Sequence, residues 1–485
     1  MAISVLYLIE RNNSAEPIQS RILYHLSLDR SFSHICADVN KREYFLSVLS
    51  DLTDDKNEIL YRQDIVKDFV SNPTLIEQLE SLAARFEELR NTQKTAGKGE
   101  YRMNVTGTTS TDALKNILQT RALCLKRALL FIKAYGELLE RFDLRSRGLR
   151  DLRSSFKEIY EKNDFSRLLT FCTKFEKFSS NGFWDFRFSL NDEGRIESYE
   201  LVDHKYIRVS DPDLKKKGFS LFKKAEEAAH PCQRVSPTKD DLYGQLAASA
   251  LSELSGAFAK ISEQIFEKFG GVGQELVFYE VALKYINALS EKKVQICYPT
   301  FSEDKSVKVK NLYDLYLLMT KANPSDVIPN DFALGQGGGL LVFGGNGSGK
   351  TVYLRSIATM QVLAQAGLPI PCESASIAPF SQLATEFSEA EKEFCEGNDA
   401  GRFEQEARGL AEMVDTLKEG SPVFLNETFQ STAYAEGAEG LYNLLKHFSA
   451  LNIRWILVSH LRQLEEMLDG DEATVLHTSD GYKIN

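Results

Sequence analysis

The chain of 485 residues is 43% hydrophobic and 26% charged, a composition typical of a folded protein with about three domains. Its 58 basic and 69 acidic residues give a net charge of −11, which excludes a surface coated with positive charge for nonspecific nucleic-acid binding. Seven cysteines without a C-x-x-C pair, and no apolar run near the ~20 residues of a membrane helix, indicate a cytoplasmic protein with reduced thiols and no membrane partner.

The first 180 residues are predicted to be mainly helical after a short N-terminal segment. Residues 2–9 are apolar but lack a basic flank and a cleavage site, so we interpret them as a buried strand rather than a signal peptide. Apolar residues with helical spacing run from Asn57 to Phe69, and a second such pattern begins after Pro73. Thr92–Ser110 is polar and rich in Gly, Lys and Thr, and we expect a loop there.

Two longer helices are predicted at Asp112–Phe142 and Asp240–Phe269, each roughly 45 Å long. Their narrow apolar stripes suit antiparallel partners, and two long helices of a compact bundle are an equally good interpretation. Between them, Trp184–Leu190 alternates apolar and polar residues, and Ile196–Val209 can return as strands after a turn. A small β-containing module is therefore expected to interrupt the helical pair.

The region after residue 330 is predicted to be an α/β domain with a mostly parallel sheet, because apolar strands alternate with helical stretches. The predicted strands are Leu340–Phe343, Val423–Leu425 and Trp455–Val458. The predicted helices are Thr351–Ala366, Glu404–Lys418 and Glu436–Phe448.

Residues 344–351 fit the phosphate-loop pattern G-x-x-x-x-G-K-[ST] in full, between a predicted strand and a predicted helix. Glycines let successive backbone N–H groups face one anion, and the helix N-terminus adds its dipole. We therefore expect an ATP site in which the Lys350 ammonium reaches the β- and γ-phosphates and the Thr351 hydroxyl binds Mg²⁺. The residues expected to bind the nucleotide are Gly344, Gly345, Asn346, Gly347, Ser348, Gly349, Lys350, Thr351 and Val352.

The rest of the catalytic site is predicted at the ends of the two later strands. Asn426 and Glu427 follow a strand where a P-loop enzyme commonly has Asp-Glu. Glu427 is the predicted general base for water attacking the γ-phosphate. Thr351, Asn426 and Glu427 form the predicted Mg²⁺ site, and the neutral amide of Asn426 predicts slow turnover. His460 follows the next strand, where it either orients the attacking water or has a structural role.

A family resemblance rests on short motifs in this domain. They are Gly349–Arg355 (GKTVYLR), Asn426–Thr428, Ser431–Thr432, Glu436–Gly437 and Val458–His460. These motifs resemble the ATPase domain of the MutS family of DNA mismatch-repair proteins, within the ABC-type ATPases, over residues 325–477. Upstream, Tyr61–Asp64 and Asn72–Pro73 are similar to the helical core of that family.

The resemblance implies an α + α/β fold, in which a helical core with long lever helices and a small β clamp is followed by an ABC-type P-loop ATPase domain. It divides the chain into an N-terminal segment (1–40), a helical core and lever domain (41–300) with a clamp-like insert at about 183–237, and the ATPase domain (301–485). It also implies ATP and Mg²⁺ as cofactors, a homodimer formed through the ATPase domain, and DNA as the partner of the clamp.

Two further groups of residues take their roles from the resemblance. Gly401, Arg402 and Phe403 lie where the family has a signature segment that reaches the γ-phosphate of the partner subunit. Since Gly401 has no hydroxyl, we hypothesise that Arg402 replaces it as a cation acting in trans. The clamp-like insert has a local charge of +5 over residues 205–224, and is either a phosphate-binding surface or a solvated charge run. Its basic residues are Lys205, Arg208, Lys215, Lys216, Lys217, Lys223 and Lys224.

The sequence also departs from the family pattern. No counterpart is found for the N-terminal mismatch-reading domain with its Phe-x-Glu wedge or for the connector domain, so we expect a short form that does not read mismatches in the usual manner. Three functions remain open. The chain is an ATPase that clamps DNA in repair, recombination or structure sensing, or a nucleotide-gated assembly protein with slow hydrolysis, or a related ATPase that acts on RNA or ribosomes.

Overall fold

The computed structural model describes residues 3–8, 12–105, 111–176, 183–190, 196–205, 242–335, 338–387, 402–429, 434–468 and 473–485. The chain forms two compact units, each built from separate stretches of sequence. One unit comprises residues 1–3, 77–143 and 150–273, and the other comprises residues 4–76, 144–149 and 274–485. The predicted division of the chain into residues 1–40, 41–300 and 301–485 stays a prediction.

Helices dominate the first 291 residues. Those before the β-hairpin are α1 (Ser20–His25), α2 (Leu28–Ser33), α3 (Val39–Ser50), α4 (Lys56–Ser71), α5 (Pro73–Val105), α6 (Thr111–Glu140), α7 (Arg147–Tyr160) and α8 (Asn163–Glu176). The hairpin consists of β1 (Phe183–Leu190) and β2 (Ile196–Lys205), and is followed by α9 (Leu242–Phe269) and α10 (Val272–Glu291). The predicted helices and the interrupting β-module are confirmed. In the described ranges no helix is both long and apolar enough to cross a membrane.

One prediction in this region is wrong, because α5 continues to Val105 through most of the expected loop at Thr92–Ser110. Pro73 opens the helix at a position where its missing N–H costs nothing. The buried residues Leu79 and Phe86 anchor the first turns, and extending a formed helix fixes only one residue for each new hydrogen bond. A glycine inside such a helix costs only about 1 kcal/mol, so polar composition alone does not end it.

The long helices α6 and α9 contact each other directly, as where Arg121 donates to Ser255 Oγ at 3.1 Å, and α5 packs against both and runs antiparallel to them. The contacts are Phe86–Phe131 and Phe86–Phe266, with ring centroids 4.1 and 4.9 Å apart, and the hydrogen bonds Cys124–Gln93 and Gln93–Ala259, of 3.2 and 3.3 Å. Later residues of α5 thus pair with earlier residues of α6 and α9. The antiparallel neighbour of each long helix is therefore α5. The two long helices α6 and α9 run parallel to each other, since α7, α8 and the hairpin separate them in the chain.

The β-hairpin pairs β1 and β2 in antiparallel register, from Phe183 opposite Lys205 to Leu190 opposite Ile196. The register shifts after Asp185 and after Ser189. The alternation of apolar and polar residues therefore predicted the first strand correctly. The second strand is confirmed as far as Lys205, and the remainder of the clamp-like insert lies outside the described residues.

The N-terminal segment is not the predicted buried strand, although Val5 and Leu6 are fully buried. Its backbone groups bond to side chains instead of to a neighbouring strand. The Glu275 carboxylate accepts hydrogen bonds from the N–H groups of Val5 and Leu6, and Arg62 Nε donates to the carbonyl oxygen of Leu6 at 2.9 Å. Burial raises the pKa of Glu275, and these N–H groups oppose that rise. Side chains that are distant in the sequence thus provide the hydrogen-bond partners that a neighbouring strand would provide in the predicted strand.

The α/β domain follows α10 and contains two sheets. Its elements are β3 (Thr300–Phe301), β4 (Val307–Leu312), α11 (Leu315–Thr320), β5 (Asn330–Leu334), β6 (Gly339–Phe343), α12 (Lys350–Gln365), β7 (Ser374–Ile377), β8 (Ala384–Phe387), α13 (Arg402–Thr416), β9 (Pro422–Asn426), α14 (Tyr434–Ala450), β10 (Arg454–Ser459), α15 (Arg462–Met467), β11 (Ala473–Ser479) and β12 (Lys483–Ile484). Single 3₁₀ turns lie at Pro324–Asp326 and Asp480–Tyr482.

The larger sheet has the strand order β12-β11-β6-β10-β9-β8 and is parallel except for β12. The smaller sheet has the order β3-β7-β4-β5. Trp455 of β10 is buried against Gly339 of β6, where an added Cβ would lie 1.8 Å from the indole ring. Only glycine fits there, so this close approach helps to fix β6 beside β10.

Candidate nucleotide site

The carboxyl ends of three neighbouring parallel strands lie at one level of the larger sheet. In the pairing of β6, β10 and β9, Phe343 lies opposite Ser459 and Val458 lies opposite Asn426. The phosphate loop and the two predicted catalytic residues follow these strand ends. They therefore emerge at the same edge of the sheet, which is the usual ligand-binding edge in open α/β folds.

The phosphate loop connects β6 to α12, whose first residue is Lys350. Gly349 precedes the helix with φ +95°, a backbone conformation that favours glycine. The Lys350 side chain is buried, and its Nζ donates hydrogen bonds of 2.8 Å to the carbonyl oxygens of Gly344 and Gly345. A buried cation at a helix N-terminus is the arrangement that binds phosphate groups.

Thr351 and Asn426 meet directly in the site, where Thr351 Oγ1 donates to Asn426 Oδ1 at 2.8 Å. Hydroxyl and amide oxygens are hard donors of the kind that Mg²⁺ takes. Across the described ranges, no group of three or more His, Cys, Asp or Glu is placed to hold a metal ion. The two oxygens of Thr351 and Asn426 would fit an Mg²⁺ whose other ligands are phosphate oxygens and water.

Glu427 lies between Lys350 and His460. Its N–H donates to the carbonyl oxygen of Val458 at 3.0 Å, and its φ of +52° turns the chain sharply out of β9. One carboxylate oxygen lies 3.3 Å from Lys350 Nζ, and the other lies 3.7 Å from His460 Nδ1. A left-handed backbone costs a residue other than glycine roughly 1–2 kcal/mol, so the surrounding structure must enforce this position of the carboxylate.

A cavity of about 990 Å³ extends from the phosphate loop. The predicted residues that line it are Asn346, Gly347, Ser348, Gly349, Lys350, Thr351, Val352, Asn426 and Glu427. Its other lining residues are Leu312, Asp314, Leu317, Lys321, Asp326, Ile328, Asn330, Tyr353, Ser356 and Tyr482. A volume of this size is typical of a pocket for a whole nucleotide, rather than for phosphate groups alone.

Beyond the phosphate loop, two partly buried contacts hold the start of α12. The Tyr353 hydroxyl donates to the carbonyl oxygen of Asp331 at 2.7 Å, and burial raises the pKa of Tyr353. Arg355 forms two hydrogen bonds to the Asp314 carboxylate, of 2.9 and 2.7 Å, and stacks over the Tyr316 ring. These contacts tie the helix to the segment that forms the opposite wall of the cavity.

Several predicted site residues lie outside the residues that the structure describes, or have side chains that it does not describe. Arg402 and Phe403 begin α13, but their side chains are not described, and Gly401 lies outside the described residues. Lys205 is the last residue of β2. The remaining predicted clamp residues also lie outside the described residues, namely Arg208, Lys215, Lys216, Lys217, Lys223 and Lys224. Their roles stay predictions.

Sequence reasoning missed most of the residues that form the rest of the cavity. Ile328 belongs to the Val327–Phe332 stretch that resembles the family's segment before the phosphate loop, and it lines the cavity. Leu312 and Leu317 come from further upstream, and Tyr482 comes from a turn near residue 480. These three belong to no contiguous motif. The available signal was weak, since a Gly-Tyr pair after a strand indicates only a turn.

Comparison with known protein families gives one match in each half of the chain. Residues 340–479 match the model of MutS domain V, and residues 54–292 match the model of the MutS2 N-terminal domain. Together these ranges cover most of the chain.

Individual relatives agree with these matches. A DNA mismatch repair protein MutS of Lactobacillus delbrueckii subsp. bulgaricus is 25% identical over 209 residues, or 42% of this chain and 23% of that protein. Endonuclease MutS2 of Shouchella clausii is 25% identical over 217 residues, or 44% and 26%. DNA mismatch repair protein MutS of Staphylococcus saprophyticus is 35% identical over 115 residues, or 24% and 12%. The chain thus spans about a quarter or less of the length of these relatives.

Proposed function

We propose, because the chain belongs to the MutS family of P-loop ATPases, that it hydrolyses ATP with Glu427 as the general base and couples this cycle to clamping of DNA. The observation that carries hydrolysis is the convergence of Lys350 and Thr351, which follow β6, with Glu427, which follows β9, at one edge of the parallel sheet. Support for DNA as the partner comes from the names of the relatives, a DNA mismatch repair protein and an endonuclease.

In the proposed reaction, the Lys350 ammonium leaves the carbonyl oxygens of Gly344 and Gly345 and binds the β- and γ-phosphate oxygens. This movement frees the Glu427 carboxylate from its contact with Nζ. The water oxygen then bonds to the γ-phosphorus as the bond to the ADP oxygen breaks, and the water proton passes to Glu427. His460, beside the second carboxylate oxygen, keeps Glu427 oriented.

In the same proposal, Thr351 Oγ1 and Asn426 Oδ1 hold Mg²⁺, the latter through a bound water. The ion supplies charge neutralisation at the β- and γ-phosphates when it is bound. Asn426 brings an oxygen to this position but no negative charge. We therefore propose weaker Mg²⁺ binding and slower turnover than an aspartate at position 426 would give.

The variant Glu427→Gln tests hydrolysis, because it preserves the size of the side chain but cannot take the proton. We expect ATP turnover, measured as phosphate release, to fall on the order of 10²- to 10⁴-fold while ATP binding persists. The matched control is Glu419→Gln, an exposed carboxylate of the same domain, which should leave turnover unchanged.

A wild-type rate no faster than that of Glu427→Gln would contradict catalysis at this site. It would favour the second candidate, a protein in which nucleotide binding alone drives assembly. The neutral side chain of Asn426 and the contact of Glu427 with Lys350 are the observations that favour this alternative.

We further propose a homodimer through the α/β domain, in which residues 401–403 of one protomer face the γ-phosphate bound by its partner. Arg402 supplies the cation that acts in trans. Arg402→Ala should reduce both ATP turnover and ATP-induced dimerisation, measured by sedimentation. Arg408→Ala, an exposed arginine later in α13, is the control. If dimerisation and turnover are unchanged in Arg402→Ala, this role is lost.

The clamp proposal rests on the basic residues of the insert, with a local charge of +5 over residues 205–224 in a chain of net charge −11. Replacing Lys215, Lys216 and Lys217 by glutamine should reduce the slope of log affinity for DNA against log salt by up to about 3. Replacing the exposed lysines Lys305, Lys308 and Lys310 is the control. The clamp proposal fails if both triple variants show the wild-type slope.

The same binding series identifies the partner. It should compare homoduplex, mismatched and branched DNA with RNA, each with and without ATP. ATP-dependent preference for a DNA form supports repair, recombination or structure sensing. A preference for RNA would overturn the proposed partner and favour action on RNA or ribosomes.

A further inference from the structure

The lining of the nucleotide cavity contains two chemically different groups of residues. Lys350 and Glu427, which contact each other beside the phosphate loop, are charged. Leu312, Leu317 and Ile328, which precede the loop in the chain, are apolar. A bound nucleotide would place its phosphates at the charged residues and its sugar and base against the apolar ones, and we call these two parts of the lining the phosphate end and the base end.

Two aromatic side chains line this cavity, Tyr353 and Tyr482. Tyr353 is 3% exposed and its hydroxyl is bonded to a backbone carbonyl, so its ring belongs to the packed core. Tyr482 is 59% exposed. An added Cβ at Gly349 would lie 3.4 Å from Cδ1 of Tyr482, so the ring covers the last glycine of the phosphate loop.

The backbone around Tyr482 is held in place despite this exposure. Its φ is +64°, and its carbonyl oxygen accepts a hydrogen bond of 3.1 Å from Asn330 Nδ2. Asn330 Oδ1 in turn accepts from the N–H of Ile484, and Lys483 Nζ donates to the carbonyl oxygen of Pro329. An aromatic ring on a backbone fixed in this way is preorganised to bind a flat ligand.

We propose that Tyr482 is the surface on which the nucleobase stacks, a deepening that rests on the proposed binding of ATP at this site. The ring lies beside the phosphate loop, faces a cavity large enough for a whole nucleotide, and is the exposed aromatic among the described lining residues. The Asn330 amide is already bonded to the backbone of the turn on both sides, so it supports the ring instead of reading the base edge.

The chemistry of stacking sets the expected specificity. Every nucleobase has a π-face, so an aromatic platform contributes affinity with little discrimination between bases. ATP and GTP should therefore lose affinity by the same factor when the ring is removed. Inorganic tripolyphosphate has no base, and its affinity should not depend on the ring.

The experiment measures the dissociation constants of ATP, GTP and tripolyphosphate for the full chain and for Tyr482→Ala, Tyr482→Phe and Tyr482→Trp. We expect Tyr482→Ala to weaken ATP and GTP at least about fivefold, with tripolyphosphate unchanged. The phenylalanine variant should bind ATP as the wild type does, and the tryptophan variant should bind it at least as tightly, because both retain an aromatic face.

Two results would overturn the stacking role. One is an unchanged affinity of Tyr482→Ala for ATP. The other is an equal loss for ATP and tripolyphosphate, which would mean that Tyr482 only supports the phosphate loop at Gly349. If the wild-type chain binds neither ATP nor tripolyphosphate, the proposed nucleotide site fails instead, so the two failures are distinguishable.

Discussion

The two ends of the nucleotide cavity are built in different ways. At the phosphate end, residues that follow β6 meet residues at the end of β9 in two pairs, Thr351 with Asn426 at 2.8 Å and Lys350 with Glu427 at 3.3 Å. At the proposed base end, apolar side chains from before the loop line the cavity together with Tyr482, which comes from a distant turn and whose ring also borders Gly349 of the phosphate loop. This difference underlies our proposal that charge and strand geometry fix the phosphates, whereas shape and an aromatic surface hold the base.

The two ends nevertheless share one feature of the backbone. Glu427 and Tyr482 both adopt positive φ, of +52° and +64°, without being glycine. Both side chains line the cavity. Such residues persist where the surrounding structure enforces them, and they are concentrated at functional sites. Backbone strain therefore marks both ends, although their chemistry differs.

The largest effect that separates the two ends should come from removing the buried cation. Lys350→Met eliminates charge-assisted hydrogen bonds to the β- and γ-phosphates, each of roughly 1.5–3 kcal/mol, so ATP and tripolyphosphate should both weaken by at least roughly 100-fold. Lys321→Met removes an exposed lysine from the base end and is the matched control, with less than about threefold effect on either ligand. Isothermal titration calorimetry measures the dissociation constants of both ligands for both variants. Equal losses in the two variants would erase the proposed difference between the ends.

A smaller gain should follow from restoring a carboxylate beside Thr351. Asn426→Asp adds a negative charge at the proposed Mg²⁺ position, and we expect about tenfold tighter Mg²⁺ binding, or about 1.4 kcal/mol, in the presence of ATP. The control Asn346→Asp adds the same charge in the phosphate loop without the contact to Thr351. A magnesium titration of ATP turnover reads out both variants. The position of the metal would be wrong if Asn346→Asp, and not Asn426→Asp, lowered the magnesium requirement.

The smallest effects should be on stability, and they test the shared backbone feature. At positions 427 and 482 the glycine variant should be more stable than the alanine variant by about 0.5–1 kcal/mol, because only glycine accepts positive φ without strain. At Lys133, an exposed position of α6, glycine should instead be less stable than alanine by about 1 kcal/mol. Denaturant unfolding gives these differences. If the glycine variant were less stable than the alanine variant at positions 427 and 482 as well, the backbone would be strained at neither end of the cavity.

The phosphate end could be predicted from the sequence because its information is local. The phosphate loop is eight consecutive residues, and its meaning depends only on the strand before it and the helix after it. Glu427 and His460 could be placed because parallel strands end at a common edge. Glu427 lies 3.3 Å from Lys350 Nζ, and His460 Nδ1 lies 3.7 Å from the other oxygen of the Glu427 carboxylate.

The base end, the N-terminal segment and the length of α5 could not be predicted in the same way, because contacts between residues distant in the sequence and the extension of an already formed helix decide them. Tyr482 reaches the cavity through hydrogen bonds to Asn330, a residue about 150 positions earlier, and no local pattern reports that contact. The apolar residues around Val5 and Leu6 predict a strand, yet the Glu275 carboxylate binds their N–H groups. The polar residues after Thr92 predict a loop, yet α5 continues through them.

The salt dependence of ligand binding tests the difference between the two ends most directly. The dissociation constants of ATP and tripolyphosphate should be measured on the wild-type chain over a range of salt concentrations, without divalent cations. Phosphate binding should weaken with salt for both ligands with the same slope, because the charged contacts are common to both. ATP should stay tighter by a constant factor of at least about five, since stacking is not screened by salt. A factor that disappears at high salt, or identical affinities throughout, would contradict the account.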